Sequence, residues 1–270
     1  MTFSSADLRT GLRGALATKR QILTTFLMTP QIEFVEMLAL AGFDAVLLDL
    51  EHGVIGLGDV SALIAIAHGR GMFCIARMGG VDPADAGRVL DCGIDGLVLP
   101  HVATAGEAAG IVSAGRYPPM GERSLNAYVR GLDYGMAACS GTDAANDRVA
   151  LIPMIEGRAG LDQLDSIAMT LGVDGIFVGP VDLAASLGFP GQPEDPQVLA
   201  AIEGIFRRVS ELNVALAVYA PTPAAASRWF SRGATLIALS TETAMSADAF
   251  RAAANAVDRT VLQPPKAGTS

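Results

Sequence analysis

The sequence predicts an α/β fold of the TIM (β/α)8 barrel class, and three features of the chain indicate it. Eight short apolar runs alternate with stretches of helical periodicity along most of the 270 residues. The runs contain few polar positions, as is typical of parallel strands buried on both faces. No Gly-x-Gly-x-x-Gly turn follows the first run, which disfavours the alternative, an open doubly wound sheet. Eight strand–helix units favour a closed barrel.

The predicted elements can be justified in chain order from their apolar spacing. Phe34, Val35, Leu38 and Leu40 form an apolar stripe on the helix after the first strand, and Gly42 ends that helix. Comparable patterns predict helices at residues 6–20, 30–41, 57–69, 83–92, 104–114, 161–171, 195–212, 223–232 and 245–257. The apolar runs predict strands at residues 22–27, 43–49, 72–76, 96–99, 150–154, 175–178, 213–218 and 234–239.

We expect one domain over residues 1–270, with the helix within 1–20 capping one end of the barrel and 262–270 forming a flexible tail. Residues 115–148 interrupt the alternation and are rich in Gly, Pro, Tyr and Arg. An irregular segment of this length is typical of a functional site or an interface.

The composition excludes several classes of function. The net charge of −9 and pI of about 4.8 argue against nucleic acid as a partner. Although the chain is 51% hydrophobic with a mean hydropathy of +0.40, no run approaches the roughly 18 apolar residues of a membrane span. Cys74, Cys92 and Cys139 show no paired spacing and no export signal precedes them, so we expect free thiols and a cytoplasmic location.

Lysine usage restricts the carbonyl chemistry that is available. Lys19 and Lys266 are the only lysines, and neither lies in the middle of the chain. A Schiff-base enzyme needs a desolvated lysine inside its pocket. We therefore expect activation by a metal, with neither a Schiff-base lysine nor a nucleotide cofactor.

Two acidic residues follow neighbouring predicted strands. Glu156 and Asp182 are 26 residues apart, about one βα repeat, and chemistry in a barrel gathers at the carboxyl ends of its strands. The backbone of Gly179, Pro180 and Val181 lies beside Asp182 and could form an anion pocket. Oxygen ligands favour Mg²⁺ or Mn²⁺, and an open site could accept Co²⁺ or Zn²⁺. The alternative is that both acids are solvated loop residues.

Further candidates follow the second, third and fourth predicted strands. Asp49 and Glu51 precede His52, and a neighbouring carboxylate can orient an imidazole and raise its basicity. Arg77 could stabilise a developing negative charge, or merely pair with an aspartate of the next helix. His101 could be a base, a substrate contact or an outer partner of a metal ligand, and these three roles stay open.

These residue types suit the chemistry of 2-oxo acids. Pyruvate can chelate a divalent cation through its carboxylate and C2 oxygen, and the cation then stabilises an enolate. Glu156 and Asp182 would hold the ion, and the amides of Val181 and Asp182 could bind the substrate carboxylate. Arg77 would face the enolate oxygen, and His52 would shuttle the proton of the hydroxyl that becomes the aldehyde.

Six features together make the chain similar to a known family. They are LDLEHG at 48–53, Arg77, LDCG at 90–93, RYPPMGER at 116–123, Ile155-Glu156 and GIFVGPVDL at 175–183. Over about residues 25–241 the chain resembles the class II, metal-dependent 2-oxo-acid (pyruvate) aldolases. These are the 4-hydroxy-2-oxoheptanedioate aldolases, with the 2-dehydro-3-deoxy-sugar-acid aldolases and the related citrate lyase beta chains. Each motif alone is weak, whereas the set is specific.

By position, the resemblance implies roles for individual residues. His52 corresponds to the base, Arg77 to the enolate-stabilising arginine, and Glu156 with Asp182 to the metal ligands. Asp91 corresponds to an aspartate that raises the basicity of the histidine, so Asp49 and Asp91 are alternative candidates for that role.

Two positions depart from the family pattern. Met154, two residues before the metal glutamate, occupies a substrate-contact position where some members have glutamine. His101 replaces the methionine expected in the heptanedioate enzymes. Val181 and Asp182 correspond to the other substrate contacts. The resemblance also implies a homo-oligomer, a hexamer or trimer of dimers, with the last helix exchanged between barrels.

We therefore predict a lyase that reversibly cleaves 4-hydroxy-2-oxo acids to pyruvate, or hydroxypyruvate, and an aldehyde through a metal-bound enolate. One alternative is an acyl-CoA lyase of the malyl- or citramalyl-CoA type on the same scaffold. It would need a basic groove, and Arg116, Arg123 and Arg130 offer only a modest one. A second alternative is a barrel subunit without catalytic activity.

Overall fold

Eight parallel strands close into a barrel, which confirms the predicted fold class. The computed structural model describes residues 5–80, 82–136 and 141–257, so Cys139, Lys266 and the 262–270 tail lie outside the described residues. The strands are hydrogen-bonded in chain order, and β8 pairs with β1 to close the sheet. They are β1 Ile22–Leu27, β2 Ala45–Asp49, β3 Phe73–Arg77, β4 Gly96–Leu99, β5 Ala150–Ile155, β6 Gly175–Val178, β7 Ala215–Ala220 and β8 Leu236–Thr241.

The helices surround this sheet and connect successive strands. They are α1 Ser5–Ala17, α2 Ile32–Ala41, α3 Leu57–Gly69, α4 Pro83–Asp91, α5 Ala105–Gly115, α6 Thr142–Arg148, α7 Arg158–Asp162, α8 Leu164–Ala168, α9 Pro180–Ser186, α10 Pro196–Glu211, α11 Pro223–Ser231 and α12 Glu242–Ala256. A short 3-10 helix, Arg130–Gly135, lies between α5 and α6. Of these helices, none is both long enough and apolar enough to cross a membrane.

The side chains of each strand alternate between the barrel interior and the outer helical layer. In β2, Ala45 and Leu47 belong to the interior cluster, whereas Val46 and Leu48 pack with the helices. Successive side chains of a strand point to opposite faces. Asp49 is therefore the next inward-facing position, at the carboxyl end of β2.

The same alternation places other charged residues. Interior Ile75 precedes Arg77 by two residues in β3, and interior Met154 precedes Glu156 by two residues at the end of β5. Both charged side chains consequently face inward at the same rim of the barrel as Asp49. This rim positions the candidate site.

The opposite rim is covered by α1. Its residues Leu12 and Leu16 are buried with the interior cluster, beside the first residues of several strands. A Cβ at Gly96 would lie 2.7 Å from the Cδ2 of Leu12, so only glycine lets β4 approach the helix this closely. Side chains fill this end of the barrel.

The irregular segment 115–148 is tied to the barrel through a buried arginine. Arg116 donates hydrogen bonds to the carbonyls of Asn146 (2.6 Å) and Val149 (2.7 Å), and its guanidinium lies 2.5 Å from Asp174. Arg13 contacts the second oxygen of Asp174 at 2.8 Å. The network joins α1, the segment and the loop before β6.

Three local predictions were wrong. Residues 115–148, predicted to be irregular, contain helix α6 and the short 3-10 helix. The single helix predicted at 161–171 is two short helices, α7 and α8, because the backbone at Gln163 leaves the helical region. Helix α9 was not predicted, although Pro180 at its first turn and Gly188 just beyond its end are typical helix boundaries. All eight predicted strands are present, with ends shifted by at most two residues.

Candidate active site

Three charged side chains occupy the inward-facing positions at the carboxyl ends of β2, β3 and β5. Asp49, Arg77 and Glu156 are only 1%, 9% and 4% exposed. A buried charge is costly unless it is paired and hydrogen-bonded. The partners of these three groups therefore define the site.

Asp49 fixes Arg77 and the turn that follows β2. Its Oδ1 accepts hydrogen bonds from the Nε of Arg77 (3.1 Å) and from the backbone N–H groups of Glu51 (3.0 Å) and His52 (3.1 Å). Its Oδ2 lies 2.5 Å from a terminal nitrogen of the same guanidinium. The ring of Phe26 packs 4.6 Å from that guanidinium. Arg77 is held on several sides and points along the rim.

Glu51 and His101 continue this network to Glu156. Glu51 lies 3.3 Å from the Nε of Arg77 and 3.0 Å from the Nε2 of His101. The other ring nitrogen, Nδ1, lies 2.9 Å from the Oε1 of Glu156, and the backbone N–H of His101 donates to the same oxygen at 2.7 Å. His101 has a positive φ of 58°, which turns its backbone toward Glu156. The sequence offered Glu51 only as a neighbour of His52.

The environment of Glu156 disfavours its ionised form. Burial raises the pKa of Glu156 above its ordinary value; the backbone N–H and the charge of His101 lower it, and the negative charges of Asp182 and Glu51 raise it again. Asp182 lies in the helix turn that begins at Gly179, and Gly179 lies directly against the Oε2 of Glu156. Two carboxylates in such a position are stabilised by a bound cation.

Gly179 lets α9 approach Glu156. A Cβ at Gly179 would lie 2.9 Å from the Oε2 of Glu156 and 2.5 Å from the Cε of Met154. Any side chain would therefore displace the carboxylate or the methionine. Met154 is buried beneath this contact and presents an apolar group to the site.

The first turn of α9 carries the remaining predicted contacts. Gly179 caps the helix and Pro180 is its first residue, so the N–H groups of Val181 and Asp182 have no acceptor within the helix. Both side chains are exposed at the rim. This turn offers backbone donors beside the paired carboxylates.

His52 lies at the same rim, but the structure does not bring either predicted aspartate to its ring. The side chain of His52 is 64% exposed, and its Nε2 lies 3.9 Å from Glu51. Asp49 contacts only the backbone of His52. Asp91 ends α4 at the opposite end of the barrel and pairs with Arg123 at 2.7 Å.

The donor set fits a hard divalent cation that shares its coordination with substrate. Among residues 5–80, 82–136 and 141–257, no group of three or more His, Cys, Asp or Glu side chains is arranged to hold a metal ion. Mg²⁺ commonly takes only one or two protein carboxylates, and water and substrate oxygens supply the rest. Glu156 and Asp182 meet that requirement.

Comparisons with known proteins agree with this geometry. A family model described as HpcH/HpaI aldolase/citrate lyase matches residues 23–249. A hydroxypyruvate/pyruvate aldolase from Sagittula stellata is 38% identical over 179 residues, which are 66% of this chain and 70% of that protein. A pyruvate aldolase from Rhizobium etli is 36% identical over 212 residues, which are 78% of this chain and 83% of that protein.

A solved structure supports the same assignment. The HpcH/HpaI aldolase/citrate lyase family protein from Burkholderia cenocepacia matches with a TM-score of 0.85 and 31% identity, over 90% of this chain and 97% of that one. The family resemblance predicted from the motifs is confirmed. The chain belongs to the HpcH/HpaI aldolase/citrate lyase family.

Proposed function

We propose that this protein is a divalent-metal-dependent aldolase that reversibly cleaves 4-hydroxy-2-oxo acids to pyruvate, or hydroxypyruvate, and an aldehyde. One observation carries the proposal: the closed barrel gathers Glu156, the first turn of α9 with Asp182, and the anchored Arg77 at a single rim. The names of the relatives, hydroxypyruvate/pyruvate aldolase and pyruvate aldolase, support pyruvate and hydroxypyruvate as donors.

Glu156 and Asp182 would hold the cation. His101 occupies the Oε1 of Glu156, whereas the Oε2 faces Gly179 and the helix turn that carries Asp182. The remaining oxygen and Asp182 together suit Mg²⁺ or Mn²⁺, and an open site of this kind also accepts Co²⁺ or Zn²⁺. When bound, the cation supplies Lewis-acid polarisation of the C2 carbonyl.

Arg77 stabilises the negative charge that develops on the C2 oxygen while the C3–C4 bond breaks. Asp49, Glu51 and Phe26 hold its guanidinium in place before substrate arrives. A preorganised donor stabilises a transition state without the cost of reorganisation. This explains why so many contacts converge on one side chain.

His52 exchanges the proton of the C4 hydroxyl. In cleavage it accepts that proton as the C4 carbonyl forms, and the C3–C4 electron pair becomes the C2–C3 bond of the enolate. In the reverse direction it returns the proton to the new alkoxide. Its exposure at the rim supports this role, because the aldehyde enters and leaves on the solvent side.

The backbone at the start of α9 binds the carboxylate of the 2-oxo acid. The N–H groups of Val181 and Asp182 are free of helical acceptors, and Gly179 with Pro180 brings them to the rim. Met154 supplies an apolar floor. Met154 offers no hydrogen bond to the donor, so the backbone N–H groups carry the recognition of its carboxylate.

The structure disfavours the acyl-CoA alternative. Arg116 is fully buried and bonded to main-chain carbonyls and Asp174. Arg123 and Arg130 lie beside the end of α4, at the opposite rim from Glu156. Within one barrel, these arginines cannot hold CoA phosphates beside Glu156 and Asp182. A barrel without catalytic activity would not explain why the buried Glu156 lies beside the turn that carries Asp182.

The aldolase acts as a homo-oligomer, a hexamer, in the cytoplasm. Phe250 of α12 is 72% exposed, and within the described part of that helix only Glu242 is buried, which supports exchange of α12 with a second barrel. Asp91 lies too far from His52 of its own chain to act on it, so its predicted role requires a second copy. Free thiols at Cys74 and Cys92 support a reducing compartment.

Metal dependence and metal ligands can be tested together. Metal-stripped protein should release no pyruvate from a 4-hydroxy-2-oxo acid until Mg²⁺ or Mn²⁺ is added. Glu156→Gln and Asp182→Asn should each weaken Mn²⁺ binding, measured by electron paramagnetic resonance, and abolish turnover. Asp195→Asn is the matched control, because Asp195 also lies at the start of a helix. Its side chain accepts a hydrogen bond from the backbone N–H of Gln197 in that helix.

Two outcomes would contradict the proposal. Full turnover by metal-stripped protein in the presence of a chelator would contradict the proposed metal dependence. Normal Mn²⁺ affinity in both Glu156→Gln and Asp182→Asn would show that Glu156 and Asp182 are not ligands of the metal. Folding of each variant is checked by its thermal unfolding midpoint.

A further inference from the structure

A cavity lies at the end of the barrel opposite Glu156. It has a volume of about 370 Å³ and opens between the ends of α3 and α4 and the neighbouring segment that precedes β5. Its wall includes Asp95 just before β4 and Val149 just before β5. Six residues of β5 separate the two rims, roughly 20 Å at 3.3 Å per residue. None of the residues that line the cavity belongs to the aldolase site of the same barrel.

Three arginines line this cavity in a chain whose net charge is −9: Arg123, Arg130 and Arg148. The half-buried Arg130 forms no hydrogen bond or ion pair with the described residues. Arg123 pairs with Asp91 and stacks on Tyr117, but its buried Nε has no acceptor in the described structure. The cavity therefore contains cationic donors that no side chain in it satisfies.

The arginines are held in place by close backbone contacts. A Cβ at Gly93 would lie 3.3 Å from the Cγ of Arg130, so the stem of Arg130 packs directly on that backbone. A Cβ at Gly11 would lie 2.3 Å from the carbonyl oxygen of Arg148, so α1 presses against the residue. The first contact restrains the side chain of Arg130, which therefore loses little freedom when it binds a ligand, and the second fixes the backbone of Arg148.

The acidic groups at the cavity do not neutralise it. Asp95 is already engaged, because its Oδ2 accepts the N–H of Cys74 (2.7 Å) and lies 2.8 Å from the Nε2 of His68. Asp133 is exposed and approaches the nearest arginine only to 3.9 Å. Asp133 and Tyr134 both adopt left-handed backbone conformations, with φ of 52° and 54°, which non-glycine residues rarely keep without a functional or packing reason.

We propose that this cavity is a ligand site for a small multivalent oxyanion, a phosphate ester or a polycarboxylate, separate from the aldolase site. Arg130 and Arg148 supply the charges, and the free Nε of Arg123 supplies a buried donor. The planar guanidinium matches the spacing of oxygens in both phosphate and carboxylate groups. The volume suits a small metabolite and excludes a polynucleotide.

The test is anion binding by the full, metal-free chain, measured by isothermal titration calorimetry. Inorganic phosphate and citrate serve as parallel probes, since they separate phosphate recognition from polycarboxylate recognition. Arg130→Gln and Arg148→Gln remove the site. Arg77→Gln removes the cationic side chain of the aldolase site, and Arg232→Gln, on the surface of the barrel, controls for total charge.

We expect saturable binding of at least one probe, weakened about tenfold by Arg130→Gln and further by the double variant. Arg77→Gln and Arg232→Gln should leave the affinity within about twofold of the parent protein. Equal affinity in Arg130→Gln, loss of binding in Arg77→Gln, or no saturable binding of either probe would each overturn the proposal. Thermal unfolding confirms that the variants are folded.

Discussion

Asp49 serves Arg77 rather than the ring of His52, and the substitution Asp49→Asn tests this. The carboxylate contacts two nitrogens of Arg77 and two backbone N–H groups, and it is 1% exposed. Asparagine has the same shape but only one acceptor oxygen and no charge. It can keep part of the turn after β2 while it loses the charge-assisted bond to the guanidinium.

The magnitude follows from what remains around Arg77. Removing one partner of a buried ion pair costs roughly 3–5 kcal/mol of stability. Arg77 keeps Glu51 at 3.3 Å and the ring of Phe26. We therefore expect a loss of about 2–3 kcal/mol in the free energy of unfolding. Complete removal of an oxyanion donor costs about 10²–10³ in kcat, so a loosened Arg77 should cost roughly 10–100-fold.

The assay is a pair of double-mutant cycles in kcat/KM for pyruvate release. One cycle combines Asp49→Asn with Arg77→Lys, and the other combines it with His52→Ala. Residues in contact should show a coupling of about 1 kcal/mol or more, whereas independent residues add within about 0.5 kcal/mol. We expect coupling to Arg77 and near-additivity with His52.

A matched control and a refuting result complete the test. Asp44→Asn changes a half-buried aspartate that accepts the N–H of Leu23 at the other end of the strands, and it should leave kcat/KM unchanged. If Asp49→Asn couples to His52 and adds independently to Arg77→Lys, then Asp49 orients the imidazole and the reasoning from the structure is refuted.

Four further outcomes are expected. Gly179→Ala should weaken Mn²⁺ binding and turnover, because its Cβ would displace the carboxylate of Glu156. The control Gly204→Ala has open space around it in α10 and should raise the free energy of unfolding by up to about 1 kcal/mol. Equal effects of the two substitutions on Mn²⁺ binding would contradict the steric explanation. His101→Ala should lower Mn²⁺ affinity by about tenfold with little change in the pyruvate KM, because it removes the ring nitrogen that orients Glu156 and leaves only the backbone N–H. Unchanged affinity would show that the imidazole does not support the metal ligand. His52→Ala should slow aldol cleavage far more than proton exchange at C3 of pyruvate, and equal losses would reassign its role. Alkylation of the native protein should modify Cys92 before Cys74, because burial raises the pKa of the Cys74 thiol well above its ordinary value; peptide mass mapping decides.

The residues of the candidate site were largely predictable because the strands were. Each buried run ends at a turn, and the alternation of inward and outward side chains then decides which residue after the run faces the rim. Asp49, Arg77 and Glu156 follow this rule. Helix α9 was missed because its seven residues are too short for a clear apolar period.

The partners of these residues were not predictable. Glu51 contacts His101, 50 residues away, and Asp91 contacts Arg123, 32 residues away. Such pairs depend on which helix ends meet at a rim and on how one loop turns. A local sequence pattern shows neither which helix ends meet nor how a loop turns.

The sequence alone determined the barrel, the order of its strands and the set of charged residues at their carboxyl ends, because strand periodicity and turn residues are local properties. Only the tertiary structure decided that Asp49 holds Arg77, that His101 joins Glu51 to Glu156, and that the arginines of the 115–148 segment face the opposite rim. The physical reason is that a buried charge pairs with whichever opposite charge the closed barrel brings within hydrogen-bond distance, and closure is a property of the whole chain.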